Sequence, residues 1–230
     1  MRAYSRSCCS AAKSHRTAHV PEQIQFPCDI QSRGVALFVI ALAAEAGYLF
    51  LAAGVSGPTT PQSEDVVILF LEGGRIRTVD RTGNASIVTR NFGDSVFVPK
   101  GTGAIDTLVS GGPAHEVMIL LKDYPMAAIA NTSGFPTAFP RAGAVKMLDD
   151  SRFTAWHYSW TQGVPTGMHF HDKDFVVAFR YDSVQSIAAP DGASHMSPVK
   201  AGDIVFLKRG LTHSEGLITD RQSAVYLELN

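Results

Sequence analysis

His169, Phe170 and His171 place two imidazoles two residues apart. On a strand, residues i and i+2 share a face, so both rings can bind one metal ion. His213 ends the segment GDIVFLKRGLTH, from which a returning strand can bring a third imidazole alongside. Asp174 lies three residues after His171 and offers a carboxylate. On a regular strand it faces away from the imidazoles unless a bulge re-aims it. Two roles stay open for it: direct ligand, or a turn-capping group behind the ligands. Three nitrogens, with or without one oxygen, suit a divalent transition metal such as Fe, Mn, Zn or Ni. They leave positions for water or substrate. The expectation is one such ion per chain.

The strand leading to this pair, FTAWHYSW, alternates. Either Trp156, Tyr158 and Trp160 point inward, or His157 and Ser159 do. Inward aromatics fill a core or form the wall of a substrate pocket, and both readings stand. Arg180, next to Tyr181, is a candidate to bind an anionic substrate; the alternative is a rim residue. Glu215 and Ser214 follow His213 and can orient it, because a ligating imidazole usually has a partner behind it. A solvated loop acid is the other reading. Lys208 and Arg209 read as a solvated turn, and His115 and His195 as surface residues near turns. Neither a phosphate-cradling G-x-x-x-x-G-K-[ST] nor a G-x-S-x-G nucleophile motif is present.

The elements that must position these groups are organised by a repeat. FGDSVFVPKG begins at Phe92 and AGDIVFLKRG at Ala201. The offset that takes Gly93 to Gly202 is 109 residues, and it also pairs Asp94 with Asp203, Phe97 with Phe206 and Gly101 with Gly210. Upstream it pairs Asp65 with Asp174 and Phe70 with Phe179; downstream, Leu108 with Leu217 and Leu120 with Leu229. The chain therefore divides into a tail or targeting segment (1–25), a first unit (26–125), a linker (126–134) and a second unit (135–230). Both units are made of short Val-, Ile- and Phe-rich runs with turn residues between them, the pattern of an all-β sandwich or barrel. The offset maps His169 to Thr60, His171 to Gln62 and His213 to Ala104. None of these is a strong ligand, so the first unit keeps the fold and lacks the site.

Val35 to Val55 reads VALFVIALAAEAGYLFLAAGV, long and apolar enough for a membrane span or signal. Its counterpart in the second unit is AVKMLDDSRFTAWHYSWTQGV, which alternates like strands. The repeat makes Val35–Leu42 and Tyr48–Ala53 early strands of the first unit, with a signal peptide or membrane anchor as the alternative reading. A cytoplasmic location is expected, with a periplasmic or secreted one if residues 1–55 act as a signal. The charge balance points the same way: 20 Lys and Arg against 21 Asp and Glu give −1. That argues for a small-molecule ligand and against nucleic acid.

Gly163-x5-His169-x-His171 followed by an acid resembles the first cupin motif. Gly202-Asp203-x4-Lys208-x-Gly210-x2-His213 resembles the second. The resemblance covers both halves and implies two tandem cupin jelly-roll β-barrels, a bicupin. It implies His169, His171 and His213 as ligands, and a homodimer paired through strand edges. It makes dioxygenase, isomerase or decarboxylase chemistry an expectation, with mononuclear Fe(II) dioxygenation of a small organic acid or phenol as the specific one. The departures are the acid, which the family places four or five residues after the second His, where Phe175 and Val176 stand, and Lys208 in place of a proline. A non-catalytic module for sensing, storage or structure remains the competing class.

Overall fold

The computed structural model describes residues 24–25, 39–40, 44–54, 56–57, 63–123 and 127–230. Among them no helix occurs. In chain order the strands begin with β1 (Ile24–Gln25), β2 (Val39–Ile40), β3 (Ala44–Leu51), β4 (Asp65–Glu72), β5 (Gly74–Asp80) and β6 (Ala85–Arg90). They continue with β7 (Ser95–Val98), β8 (Ala104–Ser110), β9 (Ala114–Leu121), β10 (Val145–Asp149), β11 (Phe153–Trp160) and β12 (His169–Phe170). The last are β13 (Phe175–Phe179), β14 (Ser183–Ala188), β15 (Ser194–Val199), β16 (Ile204–Leu207), β17 (Thr212–Leu217) and β18 (Gln222–Leu229). The described part of the long apolar run is therefore mostly strand, β2 and the whole of β3, with a turn at residues 53–54 after it. Residues 35–38, 41–43 and 55 of that run lie outside the described residues, as do Thr60, Gln62 and most of the tail.

Each half forms two facing sheets. The first half has the orders β2-β3-β9-β4-β7 and β6-β5-β8. The second has β10-β11-β18-β13-β16 and β15-β14-β17-β12, in corresponding order. Adding 109 to the bounds of β3, β6 and β7 gives the bounds of β11, β15 and β16. The hydrogen bonds around the Gly-Asp turns match as well. Gly93 N donates to Phe70 O and Gly202 N to Phe179 O, at 2.9 and 2.8 Å. Asn91 N donates to Asp94 Oδ2 and Lys200 N to Asp203 Oδ2, both at 2.8 Å. The acid in each turn satisfies a backbone donor three residues back, which is why Gly-Asp recurs.

The register changes by one residue only in the last turn. Ile76 faces Leu108 and Gln185 faces Leu217, an offset of 109 on both sides. Ala44, however, faces Leu121 while Phe153 faces Leu229. Leu229 thus corresponds to Leu121 and not to Leu120.

The two larger sheets pack on each other, and this explains the unbroken apolar strands. β4, β13 and β18 are buried on both faces. Alternate residues answer to different cores. Val67, Leu69, Val117, Ile119 and Leu121 meet Phe153, Val176, Ala178, Val225, Leu227 and Leu229 in a core shared by the two halves. The residues between them point into the separate interiors: Val66, Ile68 and Phe70 in the first half, Phe175, Val177 and Tyr226 in the second. At the border, Arg152 donates to Asp65, Asp123 and the Lys122 carbonyl. The start of the chain also reaches across. β1 adds to the β16 edge, with Ile24 opposite Phe206.

His115 corrects the surface reading. At the start of β9 it is buried, because β9 is the central strand of its sheet.

Candidate metal centre

The segment around the two histidines is broken into two strands. β12 holds only His169 and Phe170, and a turn precedes β13. Two flanking segments pin it. Phe170 N donates to Pro136 O and Phe170 O accepts from Ala138 N, both at 2.8 Å. On the other side His171 N donates to Leu211 O, and Gly210 N donates to His171 O at 2.7 Å. Gly210 has φ near +88°, a conformation that side-chain-bearing residues avoid, so the motif-two turn closes onto His171 only with glycine there. β17 then carries His213 directly opposite His169.

These contacts bring the three imidazoles together. One ligand atom from each of His169, His171 and His213 lies within 4.8 Å of the others, and all three residues are buried. The Nε2 atoms of His171 and His213 are 3.0 Å apart. His169 Nδ1 donates to the Gly167 carbonyl at 2.9 Å, which fixes its tautomer and leaves Nε2 with the lone pair. Burial lowers the pKa of His169, pushes that of His213 down to about 4 and holds that of His171 well below its ordinary value. The rings are therefore neutral near pH 7, the form that binds metal.

The donor set fits a first-row divalent ion. Metal–nitrogen bonds of about 2.0–2.1 Å put two adjacent ligands about 3 Å apart, the His171–His213 separation. Among the described residues neither His171 Nδ1 nor His213 Nδ1 has a hydrogen-bond partner. The polar contacts of these two rings are all on the Nε2 side, where they face each other.

Asp174 is not brought to the cluster. Its Oδ1 accepts from the Arg209 backbone N at 2.6 Å, and its Oδ2 pairs with the Arg209 guanidinium at 3.3 Å. β12 ends before Asp174, and the turn re-aims it toward Arg209. The turn-capping role is the one the geometry favours. Arg209 is correspondingly more than a solvated turn residue: it also donates to Ala127 O.

Trp156, Tyr158 and Trp160 do share the inward face of β11. Trp156 and Trp160 are buried, with Trp156 stacked on Phe139 and donating through Nε1 to Glu228 at 2.8 Å. They pack the second interior. Arg180 is exposed and lies over Phe92, 4.8 Å from the ring, on the side of the shared core. It does not join the histidines.

Two charged groups do. Arg141 lies over the Tyr158 ring at 4.0 Å, with Nη1 3.5 Å from His169 Nε2. Its Nη2 pairs with Glu215 Oε2 at 3.2 Å. Glu215 also accepts from the Tyr226 hydroxyl, 3.1 Å from Oε1. Burial, the largest influence, raises the Glu215 pKa; Arg141 and the three histidines together outweigh it and bring the carboxyl down to about 2. Glu215 was visible as the residue two beyond His213 on one strand face. Arg141 had no signal, since it belongs to neither motif and its place is set by the segment that pins Phe170.

No family model matches the chain, and no curated protein matches it. Solved structures do. A cupin 2 conserved barrel domain protein from Leptotrichia buccalis is 14% identical, with a TM-score of 0.59, over 93% of this chain and 98% of that one. The fold is that of the cupins. Salicylate 1,2-dioxygenase from Pseudaminobacter salicylatoxidans matches with a TM-score of 0.60 at 11% identity, over 84% of this chain and 75% of that one. Oxalate decarboxylase from Bacillus subtilis, a protein with Mn(II) centres, matches at 0.57 and 11% over 82% and 69%. At such identities the likeness concerns cupin architecture alone. The salicylate dioxygenase has also been solved with gentisate bound.

Proposed function

We propose that the chain is a bicupin with one divalent transition metal per chain, held by His169, His171 and His213 in its second unit, and that it acts on a small organic molecule. The observation that carries this reading is the buried triad of neutral imidazoles with two Nε2 atoms 3.0 Å apart. When bound, the ion supplies Lewis acidity and, if it is iron, a place for dioxygen. The residues of the chain do the rest. The Gly167 carbonyl holds the His169 tautomer, and the aromatic wall of Trp156, Tyr158 and Trp160 excludes water. Arg141, clasped against the Tyr158 ring and paired through Nη2 with Glu215, turns Nη1 toward the triad. That N–H edge can donate to a carboxylate or phenolate oxygen, and Fe(II)-dependent dioxygenation of a small organic acid or phenol is the specific activity proposed. Oxygen uptake with Fe(II) and a panel of catechols, hydroxybenzoates and keto acids tests it. Turnover with one member supports the reading, and a flat response across the panel removes the oxygenase assignment.

A second reading has an observation of its own. The interior cavity bounded by Val177, Gln185, Leu207, Glu215 and Tyr226 has a volume of about 20 Å³, room for a water molecule rather than a substrate. A sensing, storage or structural module needs no more than this. Tight binding of metal with no substrate consumed would favour it. The homodimer is proposed through the β10 edge, where Val145 and Met147 are exposed. Sedimentation equilibrium measures it.

A further inference from the structure

We infer that Glu215 is the fourth protein ligand of this centre, so that the carboxylate comes from the same strand as His213 and not from the segment after His171. The inference rests on the metal-binding reading above and adds to it the identity of the anionic ligand.

His213 and Glu215 are two apart on β17, so both project to the inner face. Glu215 Oε1 lies 3.6 Å from His213 Nε2. The nitrogen it approaches is the decisive detail. A carboxylate that merely orients a ligating histidine bonds the ring nitrogen the metal does not use. Here that nitrogen is Nδ1, which has no hydrogen-bond partner among the described residues. Glu215 instead faces Nε2, the atom that faces His171, and therefore stands on the metal's side of the ring.

The spacing is suitable. Ligands bonded at about 2.0–2.2 Å lie between roughly 3 Å apart when adjacent and 4 Å when opposite, and 3.6 Å falls within that range. The two oxygens differ in their neighbours. Oε2 is held by Arg141 at 3.2 Å, and the Tyr226 hydroxyl is 3.1 Å from Oε1 and 3.3 Å from Oε2. A carboxylate oxygen has two lone pairs, so Oε1 can accept from Tyr226 and still offer one to an ion on the His213 side. Asp174 cannot compete for the role while Arg209 occupies both of its oxygens. The first half carries an acid at the same register: Ile187 faces Glu215, and its counterpart Thr78 faces Asp106.

The test uses the full chain and Co(II) as probe. Titration of the unsubstituted protein gives the affinity and the visible d–d spectrum of the bound ion. Glu215→Gln, which keeps shape and removes the anion, is expected to weaken Co(II) binding by about 100-fold, toward the upper end of effects on supporting groups. The d–d bands of the ion still bound at saturating Co(II) should shift. Weakened binding with an unchanged spectrum would make Glu215 a positioning residue and overturn the inference, as would unchanged affinity. Because Gln leaves Arg141 buried without its partner, Arg141→Met with Glu215→Gln is measured as well, and its spectrum is expected to match that of the single variant. His171→Ala separates the two levels. If it abolishes binding while Glu215→Gln changes nothing, the triad stands and the fourth ligand falls. If the unsubstituted chain binds no Co(II), both fall.

Discussion

The two barrels share a strand order and differ in what they do with a buried charge. In the second, the carboxylate of Glu215 has Arg141, Tyr226 and His213 around it. In the first, Asp106 stands in the equivalent register and accepts from Thr78 at 2.5 Å, but position 104 is alanine where the second has His213. Glu116 joins Asp106 in that interior, buried, with neither oxygen hydrogen-bonded among the described residues. Burial and the nearby Asp106 push the Glu116 carboxyl up to about 8, against a weaker pull from Arg90. One barrel thus stabilises a buried anion by surrounding it with donors and cations. The other tolerates a buried acid by keeping it protonated. The same jelly roll permits both, so a site is decided by a handful of inward positions and not by the fold.

The sharpest way to break the contrast is to remove the proposed metal ligands. His171→Ala or His213→Ala should take the chain from one bound ion to none, and Ala104→His should add no ion to the first barrel. Elemental analysis of protein purified without a polyhistidine tag decides it. Two ions per unsubstituted chain, or an ion retained without His171, would erase the distinction drawn between the barrels.

Next in size is the core they share. Ile119 is fully buried between the sheets, and Ile119→Ala should cost about 2–5 kcal/mol in denaturant unfolding. A loss below ~1 kcal/mol would show that the two sheets are not packed as a common core.

The protonation contrast has a pH signature. Glu116 keeps its proton to about pH 8 when folded and to about 4.5 when unfolded. Between these values the folded chain binds more protons than the unfolded one. This group's contribution is therefore full below pH 4.5 and is lost as pH rises toward 8, by up to about 1.4 kcal/mol per pH unit. Glu116→Gln should leave stability near pH 4.5 unchanged and raise it at pH 8 by on the order of 1–3 kcal/mol. Thermal unfolding across this range checks the sign; equal melting curves for both proteins at pH 8 would mean the acid is ionised without cost.

The smallest effect is at the border. Arg152→Ala removes the ion pair to Asp65 at 2.7 Å and should cost about 1 kcal/mol, decreasing with added salt. Comparison of urea midpoints at low and high salt measures it.

Much of the architecture was legible in the residues. The 109-residue register anticipated the bounds of β3, β6 and β7 from those of β11, β15 and β16, because turn chemistry such as Gly93-Asp94 and Gly202-Asp203 is local and repeats in sequence when it repeats in space. The His169, His171 and His213 set was legible for a similar reason, since strand alternation and one returning strand suffice to gather them. The partners were harder. Whether Asp174 reaches the triad turns on where β12 ends, and a short turn moves it to Arg209 with no change in composition. Arg180 and Arg141 look alike in the sequence. Only packing sends one over Phe92 and the other over Tyr158.

The core shared by the two larger sheets bears on how such a chain can diverge. Each of its strands is read twice. Residues such as Val67, Val117 and Ile119 answer to the opposite half of the molecule, while their immediate neighbours Val66, Ile68 and Met118 answer only to their own interior. The two sets interleave without touching the same constraint. Substitutions that strip one barrel of its ligands therefore leave the alternate residues that dock it intact. Chemistry can be lost or gained on one set while the other preserves assembly, so an interior with no such histidine cluster among its described residues remains as firmly kept in place as one with three histidines.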